Sequence, residues 1–239
     1  SCKNDMITPE EYEMNFMKDP RERDFIKLYK LYQEKLKANQ AVDFDDLLIK
    51  TIELFKNHPE VLNVYQERFK FVHVDEYQDT NKAQYKFIRY ISAKYKNVFV
   101  VGDGDQSIYK WRGADIRNIQ EFEKDYPGSK IIKLEQNYRS TQNILDLANG
   151  IIKNNPGRRE KNLWTDATTG EKIRYYQAYD EKDEARFVVS QIRRLVHDGT
   201  YQNRDFAILY RTNAQSRVLE DALNIEAIPY KVVGGLKFY

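Results

Sequence analysis

Cysteine is almost absent: Cys2 stands alone in 239 residues. No disulfide can close within the chain, which suits a reducing compartment and points to a cytoplasmic protein. No apolar run approaches the length of a membrane span, and no secretory leader pattern occurs. Internal repeats and low-complexity tracts are missing too. So is a strong charge of one sign, with 39 Lys and Arg against 37 Asp and Glu, a net charge of +2. That excludes a protein held to nucleic acid by bulk charge, so any such contact must rest on stacking and a local basic groove. The three histidines show no metal-ligand spacing: His58 and His197 fall at expected helix ends, and His73 alternates with apolar residues as a packed side chain would. Finally, none of the ten glycines precedes a lysine, so no Gly-x-x-x-x-Gly-Lys-Ser/Thr phosphate-cradling loop is present.

What is present is a series of apolar runs that end in polar residues. Phe71, Val72 and Val74 fit a buried parallel strand, and Asp75 and Glu76 fall at its C-terminal end. Ligands of open α/β sheets bind at that edge, where an acidic pair can hold Mg²⁺ and orient an attacking water. Val98-Phe99-Val100-Val101 predicts a second buried strand, opening into the loop that begins Gly102-Asp103-Gly104-Asp105-Gln106. Between them, residues 82–95 carry Tyr85, Ile88 and Ile91 at helical spacing. Strand, helix, strand at this spacing predicts a βαβ unit with adjacent parallel strands. A third strand is expected where Ile131-Ile132-Lys133-Leu134 runs into Asn137-Tyr138-Arg139-Ser140. A helix capped by Ser140 or Thr141 should follow, with Ile144, Ala148 and Ile151 on one face.

The ends alternate similarly. Thr8-Pro9-Glu10-Glu11 and Asp19-Pro20-Arg21-Glu22 each set out a cap, an N1 proline and an N3 glutamate. The second helix has Phe25, Leu28, Tyr32 and Leu36 on one face. Further on, strands are expected at 172–179, 206–210 and 230–233, and helices at 181–197 and 213–224. The chain is long enough for one large or two modest domains, and the alternation predicts an α/β fold.

Three strings in this order are specific: Asp75-Glu76-Tyr77-Gln78-Asp79-Thr80, Gly102-Asp103-x-Asp105-Gln106-Ser107-Ile108-Tyr109-x-Trp111-Arg112-Gly113-Ala114, and Leu134-Glu135-Gln136-Asn137-Tyr138-Arg139-Ser140. They resemble the superfamily 1 DNA helicases of the UvrD, Rep and PcrA group, most of all the PcrA branch of Gram-positive bacteria. Residues 42–47, 162–165, 210–217 and 232–235 extend the likeness over most of the chain. Gly104 and Lys110 stand where variation is expected.

The resemblance implies RecA-like parallel sheets with helices on both faces. Residues 1–42 would be a helical remnant of insertion domain 1B, residues 43–136 the C-terminal part of motor domain 1A, and residues 137–239 the N-terminal part of motor domain 2A. The family's P-loop and last motifs are not among these residues, so the chain reads as a central fragment, expected to be inactive alone. The implied ligands are ATP and Mg²⁺, and the implied partners are single-stranded DNA and its junctions with duplex.

Asp75 would hold the metal. Glu76 would be the general base, Gln106 the γ-phosphate sensor, Tyr138 the adenine stacker and Arg139 an arginine finger acting in cis. Tyr109, Trp111 and Arg112 would form the single-strand platform, unless Trp111 is a core residue. Arg211 and Asn213 would contact the DNA backbone, although Asn213 could equally cap a helix. Family likeness implies 3′-to-5′ movement in repair or replication. A motor subunit of a RecB- or AddA-like helicase–nuclease, or a non-hydrolysing single-strand-binding module, remains an alternative. The basic residues Lys153, Arg158, Arg159 and Lys161 receive no role.

Overall fold

The computed structural model describes residues 2–16 and 19–233. It divides into two compact units, one running to Gly170 and the other starting at Glu171.

The first unit begins with α1 (Pro9–Phe16). Thr8 and Glu11 cap it reciprocally: the Glu11 N–H donates to Thr8 Oγ1 at 3.2 Å and the Thr8 N–H to Glu11 Oε2 at 2.9 Å. Asp19 accepts from the Arg21 N–H at a short 3₁₀ turn (Pro20–Glu22) that leads into α2 (Arg23–Ala38). The expected apolar face of α2 is not its buried one. Phe25, Leu28 and Tyr32 are exposed, and Ile26 alone is buried on this helix. Helices α3 (Phe44–Asn57) and α4 (Pro59–Arg68) follow, with Asp43 and Asp46 forming a capping box on α3. Lys3, only 6% exposed, pairs with Asp43 at 2.7 Å and Asp46 at 2.8 Å, tying the N-terminal segment to that cap.

Strands β1 (Val72–Val74) and β2 (Val98–Val100) are parallel, in the register Val72↔Val98, His73↔Phe99 and Val74↔Val100. Helix α5 (Lys82–Ser92) joins them, so the expected βαβ unit is present. Its capping box pairs Asn81 with Gln84, and its buried face is Ala83, Ile88 and Ile91. Phe87 of the same helix stacks at 6.0 Å on Phe55 of α3, itself buried beside Ile52. The strands are not buried as expected: Phe71, His73 and Phe99 are exposed, because two strands alone leave one face uncovered. His73 is thus no core residue; its ring lies tilted beside Phe99.

Short helices α6 (Arg117–Gln120) and α7 (Phe122–Asp125) precede α8 (Gln142–Ile152). Thr141 occupies the cap position of α8 without a side-chain bond. Leu145 and Asn149 form its buried face, while the expected face of Ile144, Ala148 and Ile151 is exposed. Asn149 explains the choice: its side chain donates to Leu163 O and accepts the Leu163 N–H, so a polar residue sets the rotation of the helix.

The second unit contains α9 (Glu181–His197) and α10 (Ser216–Ile225). They pack through Val189, Ile192 and Leu223, against which Phe206, Ile208 and Ile228 rest.

Four expected strands are missing. Residues 131–134, 172–179, 206–210 and 230–233 form no ladder among the described residues. A strand needs a neighbour's N–H and C=O groups as well as a suitable pattern. These runs have the pattern, but Leu134 and Leu209 stand 77% and 93% exposed with no strand beside them. The sole remnant of the third strand is an isolated parallel bridge from Gln136 to Trp164. Gly234 and Gly235 lie outside the described residues. The fold is α/β, with mixed helices and a small parallel sheet.

Candidate functional site

The parallel pairing places the ends of β1 and β2 side by side. The ladder continues past the strands, with the Val101 N–H on Val74 O at 2.8 Å and the Tyr77 N–H on Val101 O at 3.0 Å. Asp75 and Glu76 therefore sit at one sheet edge with residues 102–106. Both carboxylates are exposed. Asp75 Oδ1 accepts the Glu76 N–H at 2.9 Å, an arrangement that accompanies the left-handed backbone of Glu76, φ 50° and ψ 43°. A non-glycine residue in that region signals a turn whose surroundings fix it. Tyr77, fully buried edge-on to Phe122, supplies that anchor. Burial pushes its phenol pKa far up, so it remains a neutral wedge.

Gln78 joins the two strand ends, and sequence reasoning missed it. It is 1% exposed. Its Nε2 donates to Glu76 Oε2 at 2.7 Å, and its Oε1 accepts the Asp103 N–H at 2.9 Å. One buried amide thus holds the candidate base and the loop of the candidate sensor. A Cβ on Gly102 would come within 2.6 Å of that Gln78 oxygen, so glycine is required where the loop passes over it. The only sequence signal was the position of Gln78, two residues past Glu76 in the same turn.

Gln106 is exposed, and its Nε2 donates to Asp103 Oδ2 at 3.0 Å. Burial raises the Asp103 carboxyl, but Lys161, Gln106 and the Asp105 N–H outweigh it and keep its pKa below the usual value of 3.8. Asp105 meets Arg158 at 3.0 Å and Lys161 at 3.3 Å. Two residues of the basic loop, to which no role was assigned, thus pair with carboxylates beside the candidate sensor. The spacing had no pattern that could reveal it, because the partners lie more than fifty residues apart.

Trp111 is 65% exposed, so it is not a core residue. The Arg112 guanidinium lies 4.7 Å from the Trp111 ring and 5.4 Å from the Tyr109 ring, and the two rings are 6.3 Å apart. Arginine against open aromatic faces is a surface for stacking and charge. The three residues line a groove of about 600 Å³ with Asn4, Asp79, Asn81 and Gln84. Asn4 donates to Arg112 O at 3.2 Å and accepts from Asn81 at 3.2 Å, fixing the loop from behind. Gly113, at φ +88°, makes the turn that this needs.

Tyr138 is 86% exposed, with its hydroxyl on Gln136 Oε1 at 2.7 Å. Arg139 is exposed, and its guanidinium joins no ion pair among the described residues. Asn137 Oδ1 accepts the N–H groups of both Arg139 and Ser140, setting the turn that presents them. In the second unit, Gln215 Oε1 gathers the N–H groups of Arg211 and Thr212 at 3.0 and 2.9 Å. Asn213 opens a 3₁₀ turn (Asn213–Gln215), and the cap is Thr212, so Asn213 does not fill the capping role weighed for it. Asp75 could hold a divalent ion as a single carboxylate completed by water and phosphate, the usual Mg²⁺ arrangement. Among the described residues no group of three or more His, Cys, Asp or Glu forms a fuller cage, and no helix is long and apolar enough to cross a membrane.

Comparison with known proteins gives the family. The UvrD/REP helicase N-terminal domain family matches residues 1–127, and the UvrD-like helicase C-terminal domain family matches residues 132–239. Over all 239 residues the chain is 54% identical to the ATP-dependent DNA helicase PcrA of Staphylococcus aureus (strain COL) and 53% identical to that of Staphylococcus epidermidis (strain ATCC 12228 / FDA PCI 1200). It spans 32% of the length of each. The chain belongs to the UvrD/REP helicase family.

Proposed function

We propose that these residues form the central part of an ATP-dependent DNA helicase that moves 3′ to 5′ along single-stranded DNA in repair or replication. The observation that carries this reading is the shared edge of β1 and β2, where buried Gln78 links Glu76 to the loop of Gln106. Residues 43–136 would belong to RecA-like domain 1A and residues 137–239 to domain 2A, with 1–42 a remnant of 1B.

Asp75 would hold Mg²⁺, which when bound neutralises charge on the phosphates. Glu76, held in its left-handed turn and steered by the Gln78 amide, would accept a proton from the attacking water. Gln106 would leave Asp103 and donate to the γ-phosphate. Arg139, with no carboxylate to release first, would stabilise charge developing on that group, and exposed Tyr138 would stack on adenine. Single-stranded DNA would lie over Tyr109, Trp111 and Arg112, with Arg211 and Asn213 on its backbone. Five residues separate Gln106 from Trp111, at most about 18 Å of extended chain, so phosphate sensing and base stacking share one short loop. Hydrolysis also needs a P-loop, which these residues do not contain, so the stretch by itself is expected to turn over no ATP.

The test is single-strand-stimulated ATP hydrolysis by the full-length protein with Glu76→Gln. Loss of a general base should lower kcat by about 10²- to 10⁴-fold, with thermal stability kept because Glu76 is exposed. An unchanged kcat would sink the assignment.

A further inference from the structure

The loop carrying Gln106 is gripped from outside by two cations. Arg158 donates to the Asp105 carboxylate through Nε and Nη2 at 3.0 to 3.3 Å. Lys161 pairs with Asp103 and, at 3.3 Å, with Asp105. The four side chains are only 11 to 26% exposed, which makes them less screened than a surface pair. Arg158 Nη2 also donates to Lys161 O at 3.2 Å, so the cations are fixed to each other. Because Asp103 Oδ2 accepts from Gln106, the path Lys161, Asp103, Gln106 is direct.

The same segment is tied at its other end. The Asn162 N–H donates to Glu135 Oε1 at 2.9 Å and the Trp164 N–H to Glu135 O at 3.0 Å. The Asn137 N–H donates to Trp164 O at 2.7 Å. Asn137 is the residue whose side chain sets the turn of Arg139. Residues 158–164 thus run as a continuous strap from the loop of Gln106 to the turn of Tyr138 and Arg139. Their neighbour Arg159 points elsewhere, to Glu123 at 2.6 Å.

We infer that Arg158 and Lys161 are positioning residues, holding Gln106 and Arg139 in mutual register through the strap of residues 158–164. This rests on the ATP-site reading above. Neither cation touches substrate in this role. Their charge keeps Asp103 and Asp105 aimed, which gives the Gln106 amide one defined place from which to exchange Asp103 for phosphate.

The test uses the full-length protein with Arg158→Ala, Lys161→Ala, the conservative Lys161→Arg and the control Arg159→Ala, under two readouts. Amide hydrogen exchange of residues 102–107 should speed up by about tenfold in Arg158→Ala and Lys161→Ala, and stay unchanged in Lys161→Arg and Arg159→Ala. In the same two alanine variants, kcat for ATP hydrolysis should fall by about tenfold while KM for ATP moves less than about twofold, the signature of misplaced groups and not of lost binding. Unchanged exchange in the alanine variants would overturn the strap. So would faster exchange with kcat intact. A wild-type protein that hydrolyses no ATP would instead defeat the ATP-site reading, and the exchange measurement would still decide the strap.

Discussion

Two neighbouring loops of the first unit are held in opposite ways. Residues 102–107 are fixed through side chains: buried Gln78 beneath, Asp103 within, Arg158 and Lys161 outside. Residues 109–113 are fixed through backbone, by a 3₁₀ turn (Lys110–Arg112), by Gly113 and by Asn4 on Arg112 O, which leaves the Trp111 and Arg112 side chains open. The difference fits the role proposed for each. A phosphate sensor acts on one atom at one distance, so its loop is wired by directional polar bonds. A single-strand platform takes any base by its π-face, so it needs open rings on a steady backbone.

Substitutions can break this contrast. After Glu76→Gln, the largest effect is expected at Arg139, outside both loops: Arg139→Ala should lower kcat by about 10³-fold with no change in melting temperature, since the guanidinium joins no ion pair among the described residues. Full-length ATPase assays and thermal unfolding check this together.

Gln78→Ala should damage stability as well as rate. It removes a buried amide and leaves the Asp103 N–H unpaired, a loss of about 1–3 kcal/mol readable by urea unfolding. A variant as stable as wild type would show that the sensor loop is not held from beneath. Arg211→Ala should be milder, weakening single-strand binding and reducing its logarithmic salt slope by about one. Titrations at several salt concentrations would show it.

The smallest effect concerns pH. The folded Asp103 carboxyl lies below its ordinary value of 3.8. Its contribution is therefore full above that value and is lost as pH falls through the lower folded one. Unfolding followed down through pH 4 should show this acid loss in wild type and less of it in Asp103→Asn.

Much of this was legible in the chain. Periodicity gave α9 to the residue, and the reciprocal cap of Thr8 and Glu11 placed the start of α1. The parallel βαβ unit followed from two apolar runs at crossover spacing. Trp111, Tyr138 and Arg139 stand open, so Trp111 is not the core residue that was its alternative. What failed depended on partners. Residues 131–134 and 206–210 have strand patterns with no neighbouring strand, and Ile144 and Ile151 lost the inner face of α8 to Asn149. Gln78, Arg158 and Lys161 were invisible because their importance lies in contacts made across 25 to 58 residues of chain.

The most direct measurement is fluorescence anisotropy of a labelled single-stranded oligonucleotide, at low and moderate salt, with this chain and its Trp111→Ala variant. Loss of one stacking face should weaken binding by about 1–3 kcal/mol, roughly fivefold to 150-fold, at both salt concentrations. Binding indifferent to Trp111, or no binding by the wild-type chain, would contradict the claim that residues 109–113 form a working single-strand platform.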